Sequence, residues 1–226
     1  LTTMRKLLGY MWLAALPPTT FATAQTAFIA GPHACMGVHA LQRIAELSRE
    51  WRLPVFIAQV DLRKAFDHIW HSAAIEAMKM QGVPLQAQAF MAKLWQQSTI
   101  TAKLGSETSE AVPLQRGLPQ GAPESPLIFT IIVEMLLRRL EATWRARGLG
   151  FTLDEMRLLS VSYADDIILI GASKGQLEQM LRDLVEAFGN VGLTFGAPKT
   201  HWTAMPAAPL DKTKVQNCEV EWEASL

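Results

Sequence analysis

The chain has 226 residues, half of them hydrophobic, and its 21 basic side chains balance 21 acidic ones. This length supports a sizeable core in one large domain or two small ones, and the composition excludes an intrinsically disordered protein. Because the net charge is zero, no overall basic field would attract a nucleic acid, and such a partner would need local patches or a metal ion. The two cysteines, far apart in sequence, form neither a metal-ligand spacing nor a disulfide framework.

The first 24 residues imitate a secretory signal peptide. A basic start at residues 5–6 is followed by an apolar run over 7–16 and by small residues at 22–24. The same stretch also suits an amphipathic helix that ends at Pro17. The pattern alone leaves both interpretations open. No apolar run reaches the roughly 18 residues of a membrane span, so we expect no membrane association.

Hydrophobic spacing predicts an irregular alternation of helices and short strands downstream of this stretch. The predicted helices cover residues 38–52, 63–80, 86–97, 127–147 and 177–188. The predicted strands are residues 55–60, a hairpin of 99–104 with 111–114, a second hairpin centred on 165–166, and a short strand at 192–195. Because hairpins imply antiparallel pairing, the expected fold class is α+β. Residues from 206 onward show no clear pattern.

Two adjacent carboxylates, Asp165 and Asp166, lie between a β-prone approach and the apolar run 167–170. Because aspartate is poor strand material, we expect this pair in the turn of the hairpin. Like charges this close repel each other, and a divalent cation relieves that repulsion. An ordinary solvated hairpin tip is the alternative. The pair is therefore a candidate metal site only if other groups join it.

A third carboxylate, Asp61, directly follows the buried strand 55–60. A strand end and a hairpin tip can become neighbours in one sheet, which would gather all three carboxylates at its edge. Such oxygen ligands suit Mg²⁺, which keeps open positions for substrate phosphates. Two such ions about 3.5–4 Å apart would stabilise the attacking and leaving oxygens of a phosphoryl displacement. The pattern thus predicts phosphoryl-transfer chemistry.

Five segments then occur in an order that is typical of one family. They are Gln25–Gly31, Asp61–Asp67 at the end of its strand, Arg116–Phe129 with its Gly/Pro-rich loop, Tyr163–Asp166, and Gly192-Leu193 with Lys199-Thr200. In these motifs the chain resembles the reverse transcriptase (RNA-directed DNA polymerase) domain of non-LTR, LINE-type retrotransposons and their group II intron relatives. The resemblance covers roughly residues 25–205. Ala27 stands where the family usually has glycine.

The resemblance implies a right-hand polymerase palm, an antiparallel sheet backed by helices, with partial fingers and no thumb. Residues 1–54 would be partial fingers, 55–205 the palm with interleaved fingers helices, and 206–226 a tail that could begin the palm–thumb connection. The signal-like stretch would then be a fingers helix, and the protein would work in the nucleus or cytoplasm. Because residue 1 is not methionine, we expect further residues upstream, and the remaining polymerase domains would belong to the same polyprotein.

The resemblance also assigns roles to single residues. Asp61, Asp165 and Asp166 would be catalytic and would bind two Mg²⁺ ions, for which Mn²⁺ could substitute. Lys199 would donate a proton to the departing pyrophosphate, although an exposed lysine without that role is the alternative.

The substrate-binding residues implied by the resemblance are Leu62, Phe66, Gln120 and Gly121. Leu62 would contribute only its backbone carbonyl, and Gln120 and Gly121 would lie along the nucleotide and template. Phe66 would be the steric gate that excludes a ribose 2′-hydroxyl, with ordinary core packing as the alternative.

The expected activity is extension of a DNA primer on an RNA template with deoxynucleoside triphosphates. The alternatives are an inactive retroelement remnant that binds nucleic acid at most, and a secreted globular protein.

Overall fold

An inner strand of the main sheet, β1 (Val55–Val60), carries the buried residues Val55, Ala58 and Val60. The computed structural model describes residues 2–17, 34–153, 155–196, 200–205, 213–215 and 218–222. The helices are α1 (Thr3–Ala14), α2 (Ala34–Trp51), α3 (Ala65–His68), α4 (His71–Met80), α5 (Leu85–Gln96), α6 (Ser125–Ala146) and α7 (Lys174–Gly189). None of the helices in the described residues is long and apolar enough to span a membrane.

The remaining strands are mostly short. They are β2 (Leu62–Arg63), β3 (Thr99–Ile100), β4 (Lys103–Leu104), β5 (Glu107–Thr108), β6 (Val112–Pro113), β7 (Phe151–Leu153), β8 (Met156–Leu158), β9 (Ser160–Tyr163), β10 (Asp166–Gly171), β11 (Thr194–Phe195), β12 (His201–Met205), β13 (Thr213–Val215) and β14 (Cys218–Trp222). Together with the helices they confirm the predicted α+β class.

The chain divides into two compact units, each of two segments. The first comprises residues 1–20 and 66–132, and the second comprises residues 21–65 and 133–226. The first unit is mainly helical, whereas the second contains the main sheet. The predicted boundaries at residues 54 and 205 separate polymerase subdomains rather than compact units. The two-unit division does not test them, and they stay a prediction.

The second unit is built on an antiparallel sheet. In the described residues its strand order is β13-β14-β12-β1-β10-β9, and only β12 and β14 run parallel. One face packs against α2, where Ile44, Val55, Phe151 and Ile170 form a buried cluster. Successive strand residues point to opposite faces, so Val60 and Ile167, which pair with each other, face the other side. We assign α7 to that side, because it packs against β1 and β10.

The apolar stripe predicted for residues 177–188 is confirmed in α7. All six residues of the stripe are buried: Leu177, Met180, Leu181, Leu184, Val185 and Phe188. Ser173 caps the helix, because its hydroxyl accepts a hydrogen bond from the backbone N–H of Gln176 at 3.2 Å. Packing of one face against a sheet, rather than intrinsic propensity, accounts for most of this helix's stability.

The first unit includes α1, α4 and α5, and the helical interpretation of the N-terminal stretch is confirmed. The indole N–H of Trp12, a side chain that is 5% exposed, donates to the carbonyl of Ala87 in the α5 helix at 2.9 Å. Arg5 is ion-paired with Glu124, which precedes α6. The α1 helix is therefore tied to the rest of its unit by two polar contacts. Residues 22–24, the small-residue part of the signal-like pattern, lie outside the described residues.

The prediction of one continuous helix over residues 63–80 is wrong. Leu62 and Arg63 instead form β2, which pairs with β11, and the chain turns at Lys64 with a φ of 44°. A second interruption follows α3, where the carbonyl of Ile69 accepts a hydrogen bond from the N–H of Gly117 at 2.7 Å. Both interruptions depend on partners distant in sequence, which helical periodicity does not show.

Three other outcomes concern strands: two differences and one confirmation. The Asp-Asp pair is divided, because the turn contains Ala164 and Asp165 whereas Asp166 begins β10 and pairs with Tyr163. The predicted hairpin around Gly105 is confirmed as two short ladders, β3–β6 and β4–β5. The residues after 206 form the strands β13 and β14, although their mixed polar sequence shows no strand pattern. The strand β12, which precedes them, was not predicted either. Pairing with β1 and its neighbours compensates for that weak local preference.

Candidate active site

The central carboxylates are brought together by the pairing of β1 with β10. In the antiparallel register Val60 lies opposite Ile167. One step further along the same register places Asp61 beside Asp166, and Asp165 precedes Asp166 in the hairpin turn. The prediction that a strand end and a hairpin would meet at one edge of a sheet is therefore confirmed by the strand register.

The electrostatics of this edge agree with the register. The pKa of Asp166 is raised above its ordinary value, first by partial burial and then by the negative charges of Asp165 and Asp61. Each of the two neighbours is thus close enough to disfavour ionisation of Asp166. Such mutual repulsion is the condition that a bound divalent cation relieves.

The hairpin turn holds one residue in an uncommon conformation. Ala164 has a φ of 55°, in the left-handed region that favours glycine. A two-residue hairpin turn with positive φ at its first central position is one of those that match the twist of the flanking strands. Ala164 is itself only 9% exposed, whereas Asp165 and Asp166 are exposed. Both carboxylates are therefore exposed to solvent, whereas the neighbouring Ala164 is buried.

Gly196 leaves room for the side chain of Asp61. The N–H of Gly196 donates to the carbonyl of Asp61 at 2.9 Å. A Cβ atom added to this glycine would lie 2.7 Å from Oδ2 of Asp61, which is closer than real contacts allow. Sequence reasoning missed this residue; the available signal was a glycine directly after the short strand 194–195. The missing side chain determines where the Asp61 carboxylate can lie.

The three carboxylates fit divalent metal ions by their chemistry, because carboxylate oxygens are preferred ligands of Mg²⁺ and Mn²⁺. Their mutual repulsion at Asp166 supports the same conclusion. Within the part of the chain that the structure describes, however, no three His, Cys, Asp or Glu side chains already form a group that could hold a metal ion. The donor set is present, and its side chains would have to converge further to coordinate an ion.

Leu62 is another predicted residue of the second unit. It lies in β2 with a buried side chain and pairs with Phe195, so its side chain belongs to the core. This placement is compatible with the expectation that only its backbone carbonyl would face a substrate. Lys199 lies outside the described residues.

The first unit contains the predicted gate and the Gly/Pro-rich loop. The ring of Phe66 in α3 stacks on the ring of Phe129 in α6, with centroids 4.7 Å apart and planes 21° from parallel. The N–H of Leu118 donates to the carbonyl of Phe66 at 2.7 Å. The predicted gate therefore contacts residues of the Arg116–Phe129 motif through both its ring and its backbone.

Glycine is required where the loop lies against α3. Gly117 has a φ of 90°, and an added Cβ would lie 2.7 Å from the carbonyl oxygen of Asp67. His71 contacts the carbonyl of Gly117 at 2.9 Å through its ring nitrogen Nε2. Glycine here provides a backbone conformation and a close approach that other residues cannot adopt without strain. The loop is thus fixed directly on the helix that carries Phe66.

Gln120 is held by Asp67. The side-chain amide of Gln120 donates to Oδ1 of Asp67 at 3.1 Å, and both side chains are exposed. Gly121, next in the chain, has a φ of 79°. Asp67 is therefore the residue that orients Gln120.

A cavity of about 650 Å³ lies beside this loop, within the first unit. Asp67, Arg116 and Gln120 are among its lining residues, together with Ile100 of the β3–β6 ladder. The guanidinium of Arg116 lies over the ring of Trp70, 5.5 Å from its centroid, which is a cation–π arrangement. The cavity combines charged, polar and apolar groups, as binding sites for small polar molecules do.

Arginines at the basic end of α6 are paired with acidic side chains. Arg138 is paired with Glu134 at 2.9 Å, and Arg147 with Asp183 at 3.0 Å. Asp183 also accepts a hydrogen bond from the indole N–H of Trp144 at 2.9 Å. Both arginines thus have protein partners within the second unit.

The fold, with three carboxylates at one edge of the main sheet, is that of a polymerase palm with part of its fingers. The chain belongs to the reverse transcriptase (RNA-dependent DNA polymerase) family, which matches residues 6–221. This confirms the family to which the five sequence motifs pointed.

Its curated relatives include polyproteins of retrotransposable elements. The polyprotein of the type-1 element R2 of Nasonia vitripennis is 25% identical over 195 residues, which are 86% of this chain and 18% of that protein. The corresponding polyprotein of Bradysia coprophila is 27% identical over 197 residues, 87% of this chain and 22% of that protein. The chain thus spans about a fifth of the length of these relatives.

Among solved structures, telomerase from Candida tropicalis in complex with a TWJ fragment of telomeric RNA shares the fold. Its TM-score is 0.64 at 13% identity, covering 93% of this chain and 34% of that one.

Proposed function

We propose that this chain is the part of an RNA-directed DNA polymerase that carries its nucleotidyl-transfer site, and that it extends a DNA primer on an RNA template. The observation that carries the proposal is the β1–β10 register, which sets Asp61 beside Asp166 and next to Asp165. Membership of the reverse transcriptase family supports the reaction class. The RNA in the structure of the telomerase relative supports a nucleic-acid template as partner.

Asp61, Asp165 and Asp166 would hold two Mg²⁺ ions, or Mn²⁺ in their place. When bound, such ions stabilise negative charge on the attacking and leaving oxygens of a phosphoryl displacement. The chain's own contribution is to bring the three carboxylates together where β1 ends and β10 begins, to keep room for Asp61 through Gly196, and to present Asp165 on a tight turn. Lys199 would protonate the departing pyrophosphate.

The loop and cavity of the first unit would contact the substrates. Gln120, oriented by Asp67, would lie along the nucleotide and template together with Gly121, and the cavity beside them offers space for part of a nucleotide. Phe66 would exclude the ribose 2′-hydroxyl and so select deoxynucleotides. A protein with these partners would work in the nucleus or cytoplasm, joined to the other polymerase domains of the same polyprotein.

Primer extension on an RNA template with deoxynucleoside triphosphates and Mg²⁺ tests the proposal. The Asp165→Ala variant should lose incorporation, because it removes a carboxylate from the site. Glu155→Ala, an exposed acid away from the site, is the matched control and should incorporate like the wild type. Equal incorporation by the wild type and Asp165→Ala would reject the catalytic proposal.

A further inference from the structure

Phe129 is the buried residue on which Phe66, the predicted sugar gate, stacks. It lies in the first turns of α6, it is 0% exposed, and its ring is nearly parallel to that of Phe66 at a centroid distance of 4.7 Å. Phe66 itself is only partly buried, and one face of its ring stacks on Phe129. Stacked rings of this kind have a preferred geometry in addition to the area they bury.

The backbone of Phe66 is fixed independently of its ring. Its carbonyl accepts the N–H of Leu118 at 2.7 Å, and the carbonyl of Ile69, one turn further on, accepts the N–H of Gly117 at 2.7 Å. These hydrogen bonds join α3 to the loop that precedes α6. With the backbone held by the loop, the remaining freedom of Phe66 is rotation of its side chain, and Phe129 restricts that rotation.

A steric gate acts by contact, so its position matters on the scale of one atom. A 2′-hydroxyl adds a single oxygen to the sugar, and a side chain that can swing away by about an ångström no longer excludes it. Functional side chains need support from packed neighbours to hold such a tolerance. Of the contacts described for the Phe66 ring, the stack on Phe129 provides that support.

We propose that Phe129 is a positioning residue that sets sugar selectivity by holding the Phe66 ring in place. This inference rests on the proposed function, because it assumes that the chain incorporates nucleotides with Phe66 as the gate. It goes beyond that proposal because it assigns nucleotide discrimination partly to a fully buried residue of α6 that cannot itself reach a nucleotide.

The test compares kcat/KM for a deoxynucleotide with kcat/KM for the matching ribonucleotide, in primer extension by the full chain. Phe129→Leu keeps an apolar side chain but loses the flat ring, and it should lower the discrimination ratio at least about tenfold. Phe129→Met, which refills the space with a flexible side chain, is the second variant should the leucine variant fold poorly. Both should raise ribonucleotide use more than they lower deoxynucleotide use.

Phe188→Leu is the matched control. Phe188 is also 0% exposed and also contacts another ring, that of Phe195 at 5.8 Å, but it lies in α7 of the second unit. It should lower stability without changing the ratio. In the double variant Phe66→Val with Phe129→Leu, the second change should add nothing, because Phe129 acts through Phe66.

Three outcomes decide between the possibilities. A ratio unchanged in both Phe129 variants, with equal losses for the two nucleotides, would show a purely structural role and overturn the inference. Additive effects in the double variant would overturn it as well. A wild-type chain that incorporates neither nucleotide would reject the proposed function, and the inference with it.

Discussion

Arg5 in α1 and Glu124 at the start of α6 form an ion pair whose side chains are only 11% and 1% exposed. Among the described residues, Nε and Nη1 of Arg5 and Oε2 of Glu124 have no hydrogen-bond partner. Buried charges with incompletely satisfied polar atoms depend strongly on each other. The pair is therefore a sensitive point of the first unit.

Removing one member of this pair should destabilise the protein severely. Arg5→Met or Glu124→Leu alone should each lower the free energy of unfolding by about 3–5 kcal/mol, because each leaves an uncompensated buried charge. The double variant should recover most of that loss, since no buried charge remains. Denaturant unfolding monitored by circular dichroism measures all three.

The control is the exposed pair Arg43–Glu46, with both side chains 64% exposed. The same substitutions there, Arg43→Met and Glu46→Leu, should change stability by no more than about 0.5 kcal/mol, because surface pairs contribute little. A double variant at Arg5 and Glu124 as unstable as the single variants would contradict the interpretation of the buried pair.

Replacing Gly196 should damage activity without unfolding the protein. The methyl group of Gly196→Ala would lie 2.7 Å from Oδ2 of Asp61 and must displace either the carboxylate or β11. A shift of about 1 Å at a reacting group can cost around 100-fold in rate, so we expect a loss of about 10- to 100-fold in primer extension.

Gly189→Ala in α7 is the matched control, because an added Cβ there meets nothing within 4 Å. It should preserve activity and leave the melting temperature unchanged or slightly higher, as alanine favours a helix more than glycine does. Full activity in Gly196→Ala would mean that the Asp61 carboxylate is not confined by this glycine.

Glu141 should make the stability of the second unit depend on pH. Burial raises the pKa of this carboxyl group, while a hydrogen bond from Ser160 at 2.7 Å and the charge of Arg145 act in the opposite direction. Because the folded pKa exceeds the unfolded one, the folded state binds more protons between the two values. Stability is therefore lost as the pH rises through that interval.

The isosteric variant Glu141→Gln removes this titration but can still accept the hydrogen bond from Ser160. Its melting temperature relative to the wild type should rise from about pH 4 to pH 7. Glu155→Gln, an exposed acid, serves as the control and should follow the wild-type profile. A difference that falls or stays constant over this range would contradict the raised pKa.

The elements that the sequence predicts well are those defined by local patterns. The strand Val55–Val60 is confirmed to the residue, because five apolar residues among the six between Pro54 and Asp61 allow few alternatives. The α7 stripe is confirmed for the same reason, since its apolar spacing is uninterrupted over three turns. At the candidate site, the meeting of Asp61 with Asp165 and Asp166 follows from the strand register.

What the sequence cannot show are contacts between distant segments. The division of the 63–80 helix depends on pairing with Thr194–Phe195 and on hydrogen bonds from Gly117 and Leu118. The supports of Asp61 and Phe66, which are Gly196 and Phe129, lie about 135 and 63 residues away from them in the chain. A glycine or a phenylalanine can have several structural roles, and only the contacts in the folded protein show the role of Gly196 and of Phe129.

Ala164 has a consequence for how the hairpin that carries Asp165 and Asp166 tolerates substitution. An alanine at a φ of 55° carries a local conformational cost of roughly 1–2 kcal/mol, which a glycine would not carry. Glycine would, in exchange, add freedom to the unfolded chain and to the turn itself. The position therefore admits few replacements: a branched side chain would add further strain, and glycine would loosen the link between Tyr163 and Asp165. Ala164 thus constrains the turn through its backbone conformation, although its side chain has no functional group.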